Sequence, residues 1–151
     1  MKLNARWSFW FHDLNNNDWS NDSYQFLYAI QTTDELFNML HLISENHLKK
    51  GMYFLMLNDI FPDWSDPRNS KGGCWSYKIT KDYWKTWVQW IIYMVSEEIV
   101  SNSRIHGISF SPKQNHSILK LWNNDSSYHR VSLINRNLDT TGCKYCAFSH
   151  K

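Results

Sequence analysis

The chain has 151 residues and a mass of 18.2 kDa, with a formal net charge of +2 and a pI of about 8.4. That length suits a single domain, residues 1–151, with a core of its own; the mild charge excludes a histone-like or polybasic grip on nucleic acid, yet allows a few phosphate contacts at one site. Aromatic residues make up 17% of the chain, more than such a core needs, which points to stacking at the surface as a source of affinity.

Met1 to Trp10 has no apolar stretch flanked by small residues, and the longest apolar run, Trp90 to Val95, is too short for a bilayer. The expectation is a cytoplasmic protein with neither a signal peptide nor a membrane span. Arg6 to His12 alternates as a strand, with Trp7, Phe9 and Phe11 on one face and Ser8, Trp10 and His12 on the other. A polar loop, Asp13 to Asp22, carries consecutive asparagines and a solitary Trp19, an indole for which a turn has no use. Tyr24 to Ile30 reads as a second strand. Thr32-x-x-Glu35 then forms a capping box opening a helix with Leu36, Phe37, Leu40 and Ile43 on one stripe, ended by Gly51.

Tyr53 to Leu57 reads as a buried strand with Cys74 to Ile79 as its antiparallel neighbour. In the loop between them Pro62, Pro67, Gly72 and Gly73 forbid a continuous helix or ladder strand, and Trp64 sits between the prolines, placed to touch something outside the core. A second helix begins near Asp82. Its apolar positions Trp84, Trp87, Val88, Ile91, Ile92 and Val95 cover more than a narrow stripe, so it is deeply buried, or buried on one side and docked on the other. Ile105 to Phe110 and Ser117 to Asn123 read as a hairpin whose loop holds Pro112, Lys113 and His116, with Trp122 at the far end of its second strand. A short helix over Ser127 to Arg136 and a last strand, Lys144 to Ser149, complete an α+β fold with an antiparallel sheet and helices on one face. Trp7, Trp10, Trp75 and Trp87 lie in strands and a helix and are expected in the core.

The odd number of cysteines does not suggest a disulfide framework. Cys143-x-x-Cys146 with His150 offers three metal ligands where a structural zinc site takes four, and in a strand the two thiols point to opposite faces, so no metal is expected. The sequence lacks clustered carboxylates and a Gly-rich phosphate cradle, and His106, His116, Cys74 and Asp66 form no recognisable triad. A binding module fits better than an enzyme, with no catalytic residue and no cofactor.

Trp7, Trp10, Trp19, Thr32-Thr-Asp-Glu-Leu-Phe37, Pro62-x-Trp64-x-Asp66, Asn69-x-Lys-Gly-Gly-x-Trp75, Trp87, Ser96-Glu97, Gly107, Trp122 and Ser149-His150 follow one another in order. On these residues, and over essentially its whole length, the chain resembles the messenger RNA cap-binding translation initiation factor 4E family. The resemblance implies a single curved antiparallel sheet of about eight strands, with about three helices on the convex back and a 7-methylguanosine cap held in the concave front. It implies that Trp19 and Trp64 sandwich the base, which methylation makes cationic, so that stacking and cation–π attraction add. Each aromatic face then contributes roughly 1–3 kcal/mol.

By the same resemblance Trp122 abuts the methyl group, and Lys113 stands where the family usually has an arginine on the cap phosphates, keeping the charge but losing the bidentate fork. The family's second basic contact falls on Ile118, with Lys120 and His116 nearby. Ser65 takes the place of a glutamate whose carboxylate accepts two hydrogen bonds from the guanine edge, each worth roughly 1.5–3 kcal/mol; Asp66 is the nearest carboxylate. On the back, Thr33, Phe37, Val88, Gln89, Ile92 and Val95 match the surface with which family members bind a helical peptide, from an initiation-factor 4G-like scaffold or a 4E-binding repressor. Phe37 replaces the usual tryptophan there. The implied function is recruitment or regulation of translation initiation through capped messenger RNA. Ser65 and Ile118 keep open a second reading: a repressor or partner-binding homologue with weakened or altered cap recognition.

Overall fold

The computed structural model describes residues 1–150, the side chain of His150 excepted. Its elements run β1 (Lys2–Asp13), β2 (Gln25–Thr32), α1 (Thr33–Leu42), β3 (Gly51–Leu57), β4 (Gly73–Ile79), α2 (Tyr83–Val95), β5 (Ile105–Pro112), β6 (Ser117–Asn123) and β7 (Lys144–Ala147). The strands form one sheet in the order β2-β1-β3-β5-β6-β4-β7, every neighbouring pair antiparallel.

Register sorts the side chains between the two faces, because a strand alternates at every residue. Phe9 lies opposite Tyr28 and Leu55, Leu55 opposite Ile108, Ile108 opposite Leu121, and Leu121 opposite Trp75. This row is apolar and the helices cover its face: Trp87 meets Phe110 edge-on at 5.6 Å, and Trp90 stacks on Tyr77 at 5.6 Å. One residue along, Trp10 lies opposite Phe26 and Phe54, Phe54 opposite Ser109, Ser109 opposite Lys120, and Lys120 opposite Ser76. This second face is mixed aromatic and polar.

The capping box of α1 forms as the sequence predicts, with the Glu35 N–H donating to Thr32 Oγ1 and the Thr32 N–H to Glu35 Oε1, both at 3.1 Å. The helix nevertheless ends at Leu42 rather than running to Gly51. His47 Nδ1 accepts from the Ser44 N–H at 3.1 Å, and a single 3-10 turn, His47–Lys49, carries the chain into β3. Gly51 is needed there because a side chain would strike the His12 carbonyl and the Phe11 ring of β1.

The pairing of Tyr53–Leu57 with Cys74–Ile79 does not form. β3 takes β1 and β5 as neighbours and β4 takes β6 and β7, because the connection over 58–72 is long enough to pass β5 and β6 before the chain re-enters the sheet. The helix expected over Ser127 to Arg136 is reduced to one 3-10 turn, Val131–Leu133. Asp125 Oδ1 accepts from both the N–H and the hydroxyl of Ser127, at 2.9 and 2.8 Å, which favours a turn at that point. The last strand stops at Ala147, and the described residues contain seven strands and two α-helices where about eight and three were expected. Trp7, Trp75 and Trp87 are buried in the core; Trp10 is only partly buried, on the mixed face.

Candidate functional site

On the mixed face an aromatic series leads from one loop to the other. Trp19, on the β1–β2 loop, stacks on His12 with ring centroids 3.8 Å apart. Tyr24 stands edge-on to both, at 6.3 Å from Trp19 and 5.1 Å from His12, and reaches Phe61 at 5.0 Å and Phe54 at 5.6 Å. Phe61 belongs to the loop that carries Trp64, and it also packs against Trp10 at 5.3 Å. Phe54 meets Trp122 edge-on at 6.5 Å, and Trp122 lies 5.2 Å from Phe148. The two loops are therefore tied to one another through Tyr24. Burial, with Asp63 nearby, pushes its phenol up to about 12, so it stays neutral at that junction.

The consecutive asparagines and aspartates shape the first loop. Asp13 Oδ1 accepts from the Asn15 N–H, Asn16 Oδ1 from the Asp18 N–H, and Asp18 Oδ1 from the Ser20 N–H, at 2.8 to 2.9 Å, giving successive side-chain turns that hold Trp19 clear of the sheet. His12 is fully buried beneath it. Its Nε2 lies 2.9 Å from the Asp18 carbonyl, so Nε2–H donates, and Nδ1 is buried with no hydrogen-bond partner among the described residues.

The Trp64 loop is laced from within. Asn69, fully buried, donates through Nδ2 to the carbonyls of Phe61 and Asp63 at 3.1 and 2.9 Å, and its Oδ1 accepts from His106 Nδ1–H at 3.0 Å. Asp66 accepts from the Phe61 N–H at 3.0 Å and from the Arg68 backbone and guanidinium, which also reaches Asp59. Burial pushes the Asp66 carboxyl up, but the hydrogen bonds from Arg68 and Phe61 outweigh it and hold the group below its usual range. A side chain at Gly72 would run into the Asn123 carbonyl, which fixes where this loop rejoins the sheet. Asp66 thus spends both oxygens inside the loop. Ser65 is exposed and its N–H is taken by Asp63 Oδ1 at 2.9 Å.

Trp19 and Trp64 are 54% and 47% exposed, whereas Trp122 is 6% exposed and donates from Nε1 to Ser109 Oγ at 3.1 Å. Beside Trp19 a cleft of about 320 Å³ is lined by His12, Ser111, Lys113, Ile118 and Lys120. The β5–β6 turn is closed by the Lys113 N–H donating to the His116 carbonyl at 2.8 Å. Strand register places Lys120 on the same face as Trp122, and so it is Lys120, not His116, that shares this cleft with Lys113.

On the other side of the molecule Phe37, Leu40 and His41 of α1 and Trp84, Val88 and Ile92 of α2 line a groove of about 560 Å³. Phe37 and Ile92 are 51% and 41% exposed. Of the other residues singled out for a partner, Gln89 is exposed outside the groove and Thr33 opens α1, its N–H donating to the Met1 carbonyl at 2.9 Å. Val95 must be corrected: it is buried against the sheet, since α2 turns that position inward with Ile91 and Met94.

The family profile described as "Eukaryotic initiation factor 4E" matches residues 2–143. The chain belongs to this family. It is 28% identical over 129 residues to eukaryotic translation initiation factor 4E of Saccharomyces cerevisiae, covering 80% of this chain and 60% of that protein. It is 30% identical over 104 residues to the factor 4E homologue of Acanthamoeba polyphaga mimivirus, covering 56% of this chain and 38% of that one. Against the yeast relative the family member described here thus spans about three-fifths of the length. In fold it is similar to C. elegans eIF4E-3 in complex with the 4E-binding protein Mextli, with a TM-score of 0.84 at 20% identity over 99% of this chain and 94% of that one. It is similar also to Ascaris suum eIF4E-3 in complex with an m7G cap, with a TM-score of 0.75 at 21% identity over 84% and 75%.

Several site residues escaped the sequence reading. Tyr24 and Phe61 looked like strand and turn hydrophobics, and only the fold brings them together. His12 carried a signal, since alternation put it on the face of Trp10. Leu40 lies on the apolar stripe of α1 and Trp84 on the wide apolar surface of α2, and their place in the groove depends on how the two helices pack.

Proposed function

We propose that this family member binds a 7-methylguanosine cap of messenger RNA on the mixed face, with Trp19 and Trp64 closing on the base, Trp122 behind it, and Lys113 with Lys120 on the phosphates. It takes a helical peptide of a translation scaffold or repressor in the α1–α2 groove, and so acts in recruiting messenger RNA to translation or in regulating it. The carrying observation is the pair of half-exposed tryptophans on two loops joined through Tyr24, next to a lysine-lined cleft. The cationic base gains stacking and cation–π attraction there, and the lysines meet the phosphates as point charges. The similarity to eIF4E structures with m7G cap and with Mextli supports the same two occupants. Retention on immobilised 7-methyl-GTP with release by free 7-methyl-GTP but not GTP tests this reading, with a Lys113→Ala/Lys120→Ala variant expected to wash off at lower salt.

One observation favours the second reading. With Ser65 in place of a carboxylate and Asp66 committed to Phe61 and Arg68, the carboxylate next to Ser65 is not available to the guanine edge. A repressor or partner-binding role with relaxed base selection would then rest mainly on the α1–α2 groove. Failure on the resin together with tight binding of a helical peptide would decide for it.

A further inference from the structure

Beside the C-terminal end of α2 lies a cleft of about 670 Å³, walled by Arg6, Trp7, Met94, Glu97, Ile99 and Arg104. Arg6 is six residues along β1 from His12, about 20 Å at the strand rise, so the cleft is separate from the Trp19 groove. Asn58 (φ 51°) and Glu97 (φ 61°) line it, and Asn102 (φ 60°) precedes the lining residue Ser103. Asparagine adopts the left-handed region more readily than glutamate.

Glu97 occupies the left-handed position that ends α2, with its N–H donating to the Met94 carbonyl at 3.0 Å and the Glu98 N–H to the Tyr93 carbonyl at 2.9 Å. Glycine costs least there, and a carboxylate meets the negative end of the helix dipole. Both local effects oppose a glutamate at this position. Among the described residues the ion pairs all belong to Arg68, so Glu97, Arg6 and Arg104 have no oppositely charged partner. Trp7 is 3% exposed and its Nε1–H is buried without an acceptor among the described residues.

We propose that this cleft is a second nucleotide site, taking a guanosine 5′-phosphate group without need of a methylated base. The two guanidiniums suit phosphate oxygens. The lone carboxylate suits the adjacent ring N–H and amine of guanine. The volume lies within the range of small-molecule sites, roughly 300–1,000 Å³. A free nucleotide and a guanosine within RNA offer the same chemistry. Asn58 and Arg104 also line a neighbouring cleft with Lys71 at the base of the Trp64 loop, a path along which an RNA strand would run.

Equilibrium dialysis of the whole chain with labelled GMP tests this, using a Trp19→Ala/Trp64→Ala variant to remove the mixed-face site. The expected result is saturable GMP binding that survives in that variant and is about tenfold or more weaker for UMP and in Arg104→Ala. Glu97→Gly should melt at a higher temperature yet lose the preference for GMP over UMP, which a purely structural glutamate would not show. Tighter binding of uncapped, 5′-phosphorylated pGpUpU than of GMP identifies RNA as the source, and equal binding a free nucleotide. No GMP binding, loss of it in the tryptophan variant, or no change in Arg104→Ala overturns the proposal. Because the tryptophan variant removes the cap site, these outcomes are independent of whether the cap reading holds.

Discussion

His12 and Trp19 lie face to face, their ring centroids 3.8 Å apart and their planes 3° from parallel. The imidazole is fully buried and fixed by its bond to the Asp18 carbonyl, so it backs the indole from the sheet side while Trp19 keeps half its surface open. A base arriving on the open side meets a ring that is already held, and little side-chain freedom remains to be lost on binding.

His12→Ala should therefore weaken 7-methyl-GTP binding, by about two- to tenfold on the scale of one aromatic pair. His12→Phe should retain most of the affinity, because a planar ring still supports Trp19 although the bond to Asp18 is lost. Dissociation constants of the three proteins, measured alongside their melting temperatures, separate support of the indole from loss of fold.

Asn69 is the internal strut of the Trp64 loop. Asn69→Ala removes both donors to Phe61 and Asp63 and leaves His106 Nδ1–H without its acceptor, so a loss of about 2–4 kcal/mol is expected from the unsatisfied buried groups. Urea unfolding reads the loss. Asp66→Asn, whose site is nearer the surface of the loop, should cost less.

The burial of His106 makes stability depend on pH. Burial, with Arg104 and Arg68 adding, holds the His106 imidazole down at about 4, against 6.5 for a free histidine. Between those values the unfolded chain carries a proton that the folded chain does not. The stability His106 contributes is complete above pH 6.5 and declines as the pH falls toward 4, by up to about 1.4 kcal/mol per pH unit for one proton. Asp66, held low, adds its own loss only below its ordinary value of 3.8. Unfolding free energies at pH 7, 5.5 and 4.5 should show the decline, and His106→Asn should flatten it.

Much of this architecture was legible in the sequence because it follows from local pattern. Alternation in Arg6 to His12, the Thr32–Glu35 capping box and the Lys113 to His116 hairpin turn each reappear in the fold. What was not legible depends on tertiary geometry. Nothing near Cys74 says that β4 pairs with β6 and β7 rather than with β3, because that choice is made by how far the 58–72 loop travels. Val95 and Ile92 look alike in a helical stripe, and only the tilt of α2 on the sheet buries one and exposes the other. The role of Asn69 was hidden for a related reason: its partners Phe61 and Asp63 are close in sequence, but His106 comes from β5.

The α1–α2 groove should be sensitive to a charge at its floor. Ile92→Asp places a carboxylate beside Val88 and Phe37 at an exposed position, so the fold should be little affected while an amphipathic helical peptide loses about tenfold or more in affinity. Gln89→Ala, outside the groove, should change binding far less. Titration of a fluorescently labelled peptide against both variants provides the comparison.

The most direct measurement is tryptophan fluorescence quenching by 7-methyl-GTP and GTP in parallel, on the wild type, Trp19→Ala and Trp64→Ala. Quenching by the methylated nucleotide that is much weaker with GTP, and that either substitution removes, is the predicted result. It would establish that the two loop indoles close on a cationic base in spite of Ser65. Absence of quenching by either nucleotide at millimolar concentration, or quenching unchanged in both variants, would contradict it.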